Sequence, residues 1–203
     1  MKFGQFWVAL MGLALSATAV NSASARIIVK ERVTHYNVSG KTGERLWKSI
    51  NRRGPKVRRT HAVATTNRKL KLRRVKTGIR GSKCVIKNVD MHVSLTYRYP
   101  KWVHRRSAKA SARRTWDKFY KQLIRHEKAH GKIEKDFVKN VHRAFLKARG
   151  SKSKNCRDLK RKISRKIERL QKRANRAHRR LDRRDSYASA RIRRYQRRTL
   201  NIN

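Results

Sequence analysis

Between Cys84 and Tyr99 the sequence CVIKNVDMHVSLTYRY alternates between apolar and polar residues with a period of two. Because successive side chains of a β-strand point to opposite faces, this alternation predicts one long strand with a buried face and a polar face. The residues expected on the buried face are Val85, Val89, Met91, Val93, Leu95, Tyr97 and Tyr99. This is the clearest strand in the chain, and Pro100 is predicted to end it.

Shorter elements precede the long strand. β-Branched and aromatic residues dominate residues 27–38, and Ser39-Gly40 follows them, which predicts a first strand. Residues 42–51 place their apolar side chains on one face, so we expect a short helix that Thr42 caps and Gly54-Pro55 ends. Residues 61–75 are compatible with one strand or with two irregular ones.

A long helix is predicted to start near Ser107 or Ser111 and to run to about Arg149. Its apolar residues recur at steps of three and four, and they are Trp116, Phe119, Tyr120, Leu123, Ile133, Phe137, Val141 and Phe145. His126 and His130 fall on the same stripe. Both imidazoles are therefore expected to point toward the core.

A second helix is predicted after the polar break GSKSKN, from Cys156 to about Arg180. Its narrow apolar seam consists of Leu159, Ile163, Ile167, Leu170, Ala174, Ala177 and Leu181. Such a seam favours a helix folded back antiparallel on the first, or a short coiled coil. Residues 186–203 are predicted to form a disordered basic tail.

The charge of the chain is extreme. Fifty-nine lysines and arginines against eleven acidic residues give a net charge of +48. Solubility alone does not require such a charge, so it predicts an anionic partner.

The first residues indicate export. Lys2 precedes an apolar run, Phe6–Val20, and Ala23-Ser24-Ala25 then forms a small-residue cleavage pattern. This is typical of a signal peptide over residues 1–25, cut between Ala25 and Arg26. The run of about 15 residues is short for a membrane span of about 20, so a retained anchor helix is the less favoured alternative. The sequence predicts no membrane-spanning segment after residue 25, and the exported chain is expected to be periplasmic or secreted.

The two cysteines, Cys84 and Cys156, both follow the predicted signal peptide. An even number of cysteines in an exported protein favours one disulfide between them. Two unpaired thiols are the alternative. Cysteine zinc ligands are less favoured, since the C-x-x-C spacing is missing.

Residues 125–131, RHEKAHG, contain the motif H-E-x-x-H. His126 and His130 lie one helical turn apart, so both imidazoles can reach one zinc ion. Glu127 then lies beside the metal, where it can take a proton from zinc-bound water. The alternative is that these are ordinary surface residues. Random placement would give on the order of 0.01 such motifs in this chain, which argues against that alternative. Two buried imidazoles also need a polar partner, which a zinc ion would supply.

The motif leaves the third ligand open. Glu134 lies about 12 Å along the helix axis from His126, too far for both to bind one ion. Asp136 has the spacing used where a glycine breaks the helix, but Ile133 stands in the glycine position. Another segment is therefore expected to supply it, and the candidates are Glu31, Glu44, Asp90, Asp117, Asp158, Glu168, Asp182, Asp185, His35, His61, His92, His104, His142 and His178.

Several blocks resemble, in order, the bacterial domain of unknown function 922, a family described as predicted secreted zinc-dependent proteases. They are HYNVSGKTGERLWKSINRRGP (His35–Pro55), the Cys84 strand ending in YPKW (Tyr99–Trp102), RTWDKFYKQLIRHEKAHGKI (Arg114–Ile133) and the later Cys156. The resemblance implies a zincin-like α+β fold, in which a small antiparallel sheet packs on the H-E-x-x-H helix and a long basic C-terminal helix follows. Residues 26–150 would form the catalytic domain, and residues 151–203 the helix and tail.

By position, the resemblance implies that His126 and His130 bind zinc and that Glu127 is the catalytic base. Family members show a Tyr-Asp-x-x-Thr-x-His-Gly element near the C-terminus, and the corresponding LDRRDSYA (residues 181–188) keeps only Asp182. Asp182 is therefore the third ligand that the resemblance favours. The departure from the element leaves altered or lost activity as an alternative.

Two classes of function are consistent with these features. The first is an exported zinc-dependent hydrolase, most simply a peptidase that acts on a peptide or protein. Glu127 would be its general base. A sheet edge, such as the strand that ends at Tyr99, would align the substrate. The alternative is a non-catalytic basic protein that binds an anionic polymer of the cell envelope. Export makes nucleic acid an unexpected physiological partner, and the dispersed aromatic residues form no stacking platform.

Overall fold

Five strands and three helices follow one another in the computed structural model, which describes residues 26–57, 59–149, 153 and 155–199. In chain order they are β1 (Ile27–Val38), α1 (Gly43–Arg53), β2 (Lys56–Val57), β3 (Thr60–His61), β4 (Thr65–Arg80), β5 (Lys83–Trp102), α2 (Ala110–Arg149) and α3 (Cys156–Thr199). The predicted α+β class is confirmed. The predicted signal peptide, with Ala25, lies outside the described residues, and Arg26 is the first residue within them.

β5 is the central strand of a mixed three-stranded sheet with the order β1-β5-β4. β4 pairs with β5 antiparallel, as expected for a hairpin, whereas β1 pairs with it in parallel. A parallel pair needs a long crossover, and the segment from α1 to β4 supplies it. The long strand is therefore not the sheet edge suggested for substrate alignment, since β1 and β4 are the edges. β2 and β3 form a separate two-stranded ribbon.

Pro100 does not end β5, which continues to Trp102. The amides of the odd-numbered residues Met91 and Val103 donate hydrogen bonds on the β1 side, so the amides of even-numbered residues point toward β4. Position 100 is even, and the N–H that Pro100 lacks would therefore have pointed toward β4. The pairing with β4 ends at Arg98. The proline thus removes no hydrogen bond from the sheet, which is why the strand passes through it.

Near the start of β5, the buried side chains are at even-numbered positions, whereas farther along they are at odd-numbered ones. Cys84 and Ile86 are buried, whereas Val85, predicted to be buried, is only partly so. On β4, Lys76 and Thr77 are adjacent, but their partners on β5 are two residues apart. β5 therefore carries one extra residue, which moves the following side chains to the opposite face. Farther along, the odd-numbered residues are buried as predicted.

The predicted helices are confirmed, with one extension. Thr42 caps α1 by accepting a hydrogen bond from the Arg45 amide (3.3 Å), and Gly54 is its C-cap. α3 continues to Thr199, so the prediction of a disordered tail from residue 186 was wrong as far as Thr199. No glycine or proline occurs between Cys156 and Thr199 to stop it. No helix in the described ranges is long and apolar enough to cross a membrane.

α2 and α3 pack antiparallel and share one hydrophobic core with the sheet. Phe137, Val138 and Val141 of α2 and Leu159 and Leu170 of α3 are buried together with the inward face of β5. The Cys84–Cys156 disulfide, predicted from the even cysteine count, is confirmed and joins the first turn of α3 to β5. The start of α3 is thus held both by apolar packing and by a covalent bond.

Gly131 marks a close approach between α2 and the sheet. A Cβ atom at this position would overlap the hydroxyl group of Tyr97 on β5. Gly131, the last residue of RHEKAHG, therefore allows the helical turn that carries His126 and His130 to lie against the sheet.

Candidate metal centre

Three side chains from the two long helices converge on one point. His126 and His130 project from α2, and Asp182 projects from α3. The two Nε2 atoms lie 3.0 Å apart, and Asp182 Oδ1 lies 3.0 Å from His130 Nε2 and 3.6 Å from His126 Nε2. Ligands of a tetrahedral zinc ion at about 2.0–2.2 Å stand roughly 3.3 Å from one another. The triangle therefore has the size that one such ion requires.

Hydrogen bonds at the far side of each ring fix the tautomers. His126 Nδ1 donates to Asp185 Oδ2 (2.6 Å). His178 Nε2 donates to Glu134 Oε1 (3.2 Å), which leaves His178 Nδ1 as an acceptor for His130 Nδ1–H (2.7 Å). Both ligand rings thus carry their proton on Nδ1, and both present an unprotonated Nε2 to the same point.

This arrangement calls for a cation. Two Nε2 lone pairs at 3.0 Å, with a carboxylate oxygen beside them, repel one another unless a metal ion or a proton lies between them. Burial lowers the pKa of His130, and the adjacent His126 lowers it further, so protonation of this ring is disfavoured. The donor set and its environment therefore fit a divalent metal with nitrogen and oxygen ligands.

The residues behind the ligands form two supporting chains. Arg68 Nε lies 2.9 Å from Glu134 Oε2, so the first chain runs from Arg68 through Glu134 and His178 to His130. The second is the contact from Asp185 to His126. Burial alone would raise the pKa of Asp185, but hydrogen bonds from His126 and Arg184 bring it below its usual value. Partners of this kind orient the imidazole ligands of a metal.

Glu127 is buried beside the cluster, with a relative exposure of 4%. Thr66 Oγ1 of β4 lies 2.6 Å from Glu127 Oε2 and 2.9 Å from the Glu127 carbonyl oxygen. The single hydroxyl proton of Thr66 can be donated to either oxygen or shared between them. Burial raises the pKa of Glu127, against the opposing effects of Thr66 and His126. The carboxylate of Glu127 is therefore more basic than that of an exposed glutamate.

These groups line one large cleft of about 1450 Å³. Its walls come from α1, the start of β4, the N-terminal half of α2 and the part of α3 that carries Asp182. His126, Glu127 and His130 all face it. An extended chain of several residues has room beside the metal centre.

The structure brings together the proposed ligands His126, His130 and Asp182, and no other group of three metal-binding side chains forms within the described ranges. Glu134, judged too distant to be a ligand, supports His178 instead. Four other candidates form ion pairs away from the cluster: Glu31 with Lys135, Glu44 with Lys48, Asp117 with Arg105, and Asp158 with Arg161. His178 and Asp185 were candidates for the third ligand, and their contacts behind the ligands were not foreseen.

The fold and the site define a class of protein: an α+β protein whose two long helices jointly present two histidines and a carboxylate that could hold a metal ion in a cleft. The family model described as "Bacterial protein of unknown function (DUF922)" matches residues 33–188, and the chain belongs to that family. No curated protein and no solved structure matches the chain. The matched range runs from β1 into α3 and includes every residue of the cluster.

Proposed function

We propose that the protein is an exported zinc-dependent hydrolase that cleaves peptide bonds. The observation that carries the proposal is the triangle of His126 Nε2, His130 Nε2 and Asp182 Oδ1, with the buried carboxyl group of Glu127 in the same cleft. A metal that only stabilises a fold has four protein ligands, whereas a catalytic zinc has three and an open position. Three ligands at a cleft favour catalysis.

Each residue then has a distinct role. Zinc, when bound, supplies a Lewis acid that polarises a carbonyl group and lowers the pKa of water. His126, His130 and Asp182 would hold it, while Asp185 and His178 would orient the two imidazoles. Glu127 accepts a proton from the attacking water and passes it to the departing amine, so the hydrolysis of one peptide bond consumes one water molecule.

The outer edge of β4 is suited to hold an extended peptide. Because the odd-numbered amides of β5 bond toward β1, the even-numbered ones bond toward β4, opposite Thr65 and Asn67. The backbone N–H and C=O of Thr66, between these two, therefore face outward. No other strand covers this edge in the described ranges. A peptide added there would pass close to Glu127, which Thr66 contacts.

Metal content tests the proposal. We expect the purified protein to hold about one zinc ion per chain, as elemental analysis would measure it. His126→Ala removes one ligand and should lose the metal. His92→Ala, which removes an exposed histidine of β5, should keep it. The absence of zinc from wild-type protein refolded with added zinc would contradict the proposal.

His178 is expected to set zinc affinity without binding the metal. His178→Ala leaves His130 Nδ1–H and Glu134 without their partner, and loss of such a supporting residue weakens metal binding by about 10–100-fold. His178→Gln can accept from His130 through its carbonyl and donate to Glu134 through its amide, so it should recover part of the affinity. Competition with a chelator of known affinity measures both. Equal zinc affinity in wild type and His178→Ala would remove this role.

Export is part of the proposal, supported by the signal-peptide pattern and by the disulfide, which persists in oxidising compartments. The backbone nitrogen of Arg26 lies 3.3 Å from Asp90 Oδ1, and β1 begins at the next residue. The ammonium group created by cleavage after Ala25 would thus meet a carboxylate. N-terminal sequencing of the exported protein should begin at Arg26, and any other start would refute this cleavage site.

The charge of α3 favours a second candidate function, the binding of an anionic envelope polymer. Cys156–Thr199 contains nineteen lysines and arginines and four acidic residues, two of which, Asp182 and Asp185, belong to the cluster. A polyanion would relieve the repulsion among these cations. Binding that weakens steeply with salt but ignores chelators would support this function as separate from hydrolysis.

A further inference from the structure

The cleft beside the metal centre has an apolar floor. Aromatic and aliphatic side chains of α1, the end of β5 and the N-terminal half of α2 form it, and they are Leu46, Trp47, Ile50, Trp102, Trp116 and Phe119. Trp116 packs between Trp102 and Phe119, with ring centroids 5.6 Å and 5.7 Å apart. A floor of this kind suits a large apolar side chain.

The acidic and the basic residues of the cleft lie in different parts of its walls. The acidic residues of the cleft are Glu127, Glu134, Asp182 and Asp185, and every one of them belongs to the metal centre or supports it. The basic residues are Lys41, Lys118, Lys121, Arg125 and Arg184. Away from the metal, the ionised groups that line the cleft are thus all cations.

Three of these cations form a row on α2. Lys118, Lys121 and Arg125 are exposed, and within the described ranges no carboxylate lies at ion-pair distance from any of them. Lys121 and Arg125 are about 6 Å apart along the helix axis, and Arg125 directly precedes His126. Side chains on one face of an extended peptide repeat at about 6.7 Å. Lys121 and Arg125 therefore come close to the spacing of alternate peptide side chains, and Lys118 lies about 4.5 Å farther along the helix axis.

We propose that the substrate is an acidic peptide segment. Its aspartate or glutamate side chains pair with Lys118, Lys121 and Arg125, and a large apolar side chain close to the scissile bond enters the floor of the cleft. The inference rests on the proposed peptidase function and adds its substrate class. Basic segments are repelled by the same row, and the net charge of the whole chain steers acidic ones toward it.

A matched pair of double variants isolates the row. Lys139 and Arg143 stand eighteen residues after Lys121 and Arg125, which is five full turns, so they occupy the same helix face about 27 Å away and outside the cleft. Lys121→Gln/Arg125→Gln and Lys139→Gln/Arg143→Gln remove the same charge from the chain. The zinc-loaded wild type and both variants would digest a degenerate peptide library, and mass spectrometry would identify the bonds cut.

In the wild type, we expect cut sites enriched in aspartate and glutamate within about four residues of the bond and depleted in lysine and arginine. For one acidic peptide taken from these sites and its glutamine counterpart, the cleft variant should lower kcat/KM for the acidic peptide about tenfold and change the neutral one less than twofold. The control variant should change neither. Cleavage without acidic enrichment, or equal losses in both variants, would overturn the substrate class and leave the peptidase standing, whereas no cleavage of any peptide would overturn the peptidase itself.

Discussion

Glu127→Gln is expected to abolish turnover while the protein keeps its zinc and its fold. The glutamine carbonyl can still accept a hydrogen bond from Thr66, but the side chain cannot take a proton. Loss of a positioned general base lowers kcat by about 10²–10⁴-fold. The comparison requires a peptide that the wild type cleaves, with kcat and zinc content measured on the same preparations.

Thermal unfolding separates this catalytic role from a structural one. Burial raises the pKa of Glu127, so its ionised form is disfavoured in the folded protein, and a neutral glutamine removes that cost. The metal-free variant should therefore unfold at the same temperature as metal-free wild type or above it. Glu168→Gln, which changes an exposed acid of α3, is the control and should keep full activity. Turnover at the wild-type rate in Glu127→Gln would refute the assigned role.

The sequence predicted those parts of the molecule that depend on local periodicity. The two-residue alternation located β5, and the apolar stripe located α2, on which His126 and His130 are partly buried and face the cleft. These predictions were confirmed because each periodicity reports directly which face of an element is buried. The proposed third ligand, Asp182, was reached through a resemblance, since its position depends on how α3 packs against α2.

Features that depend on tertiary partners were missed. The parallel pairing of β1 and the passage of β5 through Pro100 follow from which neighbour stands on each side of a strand. The supporting contacts of His178 and Asp185 likewise require the register of α3 against α2. A signal for them was present, because His178, Asp182 and Asp185 recur at steps of four and three and so share one face of a helix.

Removal of the Cys84–Cys156 disulfide is expected to lower the free energy of unfolding by about 4 kcal/mol, because the bond closes a loop of 72 residues in the unfolded chain. Cys84 is fully buried, so alanine at both positions avoids placing an unpaired hydroxyl group in the core. Urea denaturation of the double alanine variant and of the wild type measures the difference. A loss below about 1 kcal/mol would contradict the expectation.

The same variant shows whether the disulfide also builds the metal centre. Leu159 and Leu170 remain available to pack α3 against α2 when the covalent bond is gone, so Asp182 should still reach the two histidines. Zinc at about 100 times its dissociation constant should then restore roughly 2.7 kcal/mol of stability to the variant, and a chelator should remove it. If zinc stabilises the wild type but leaves the alanine variant unchanged, then apolar packing does not suffice to position α3, and the disulfide is itself a structural part of the metal site.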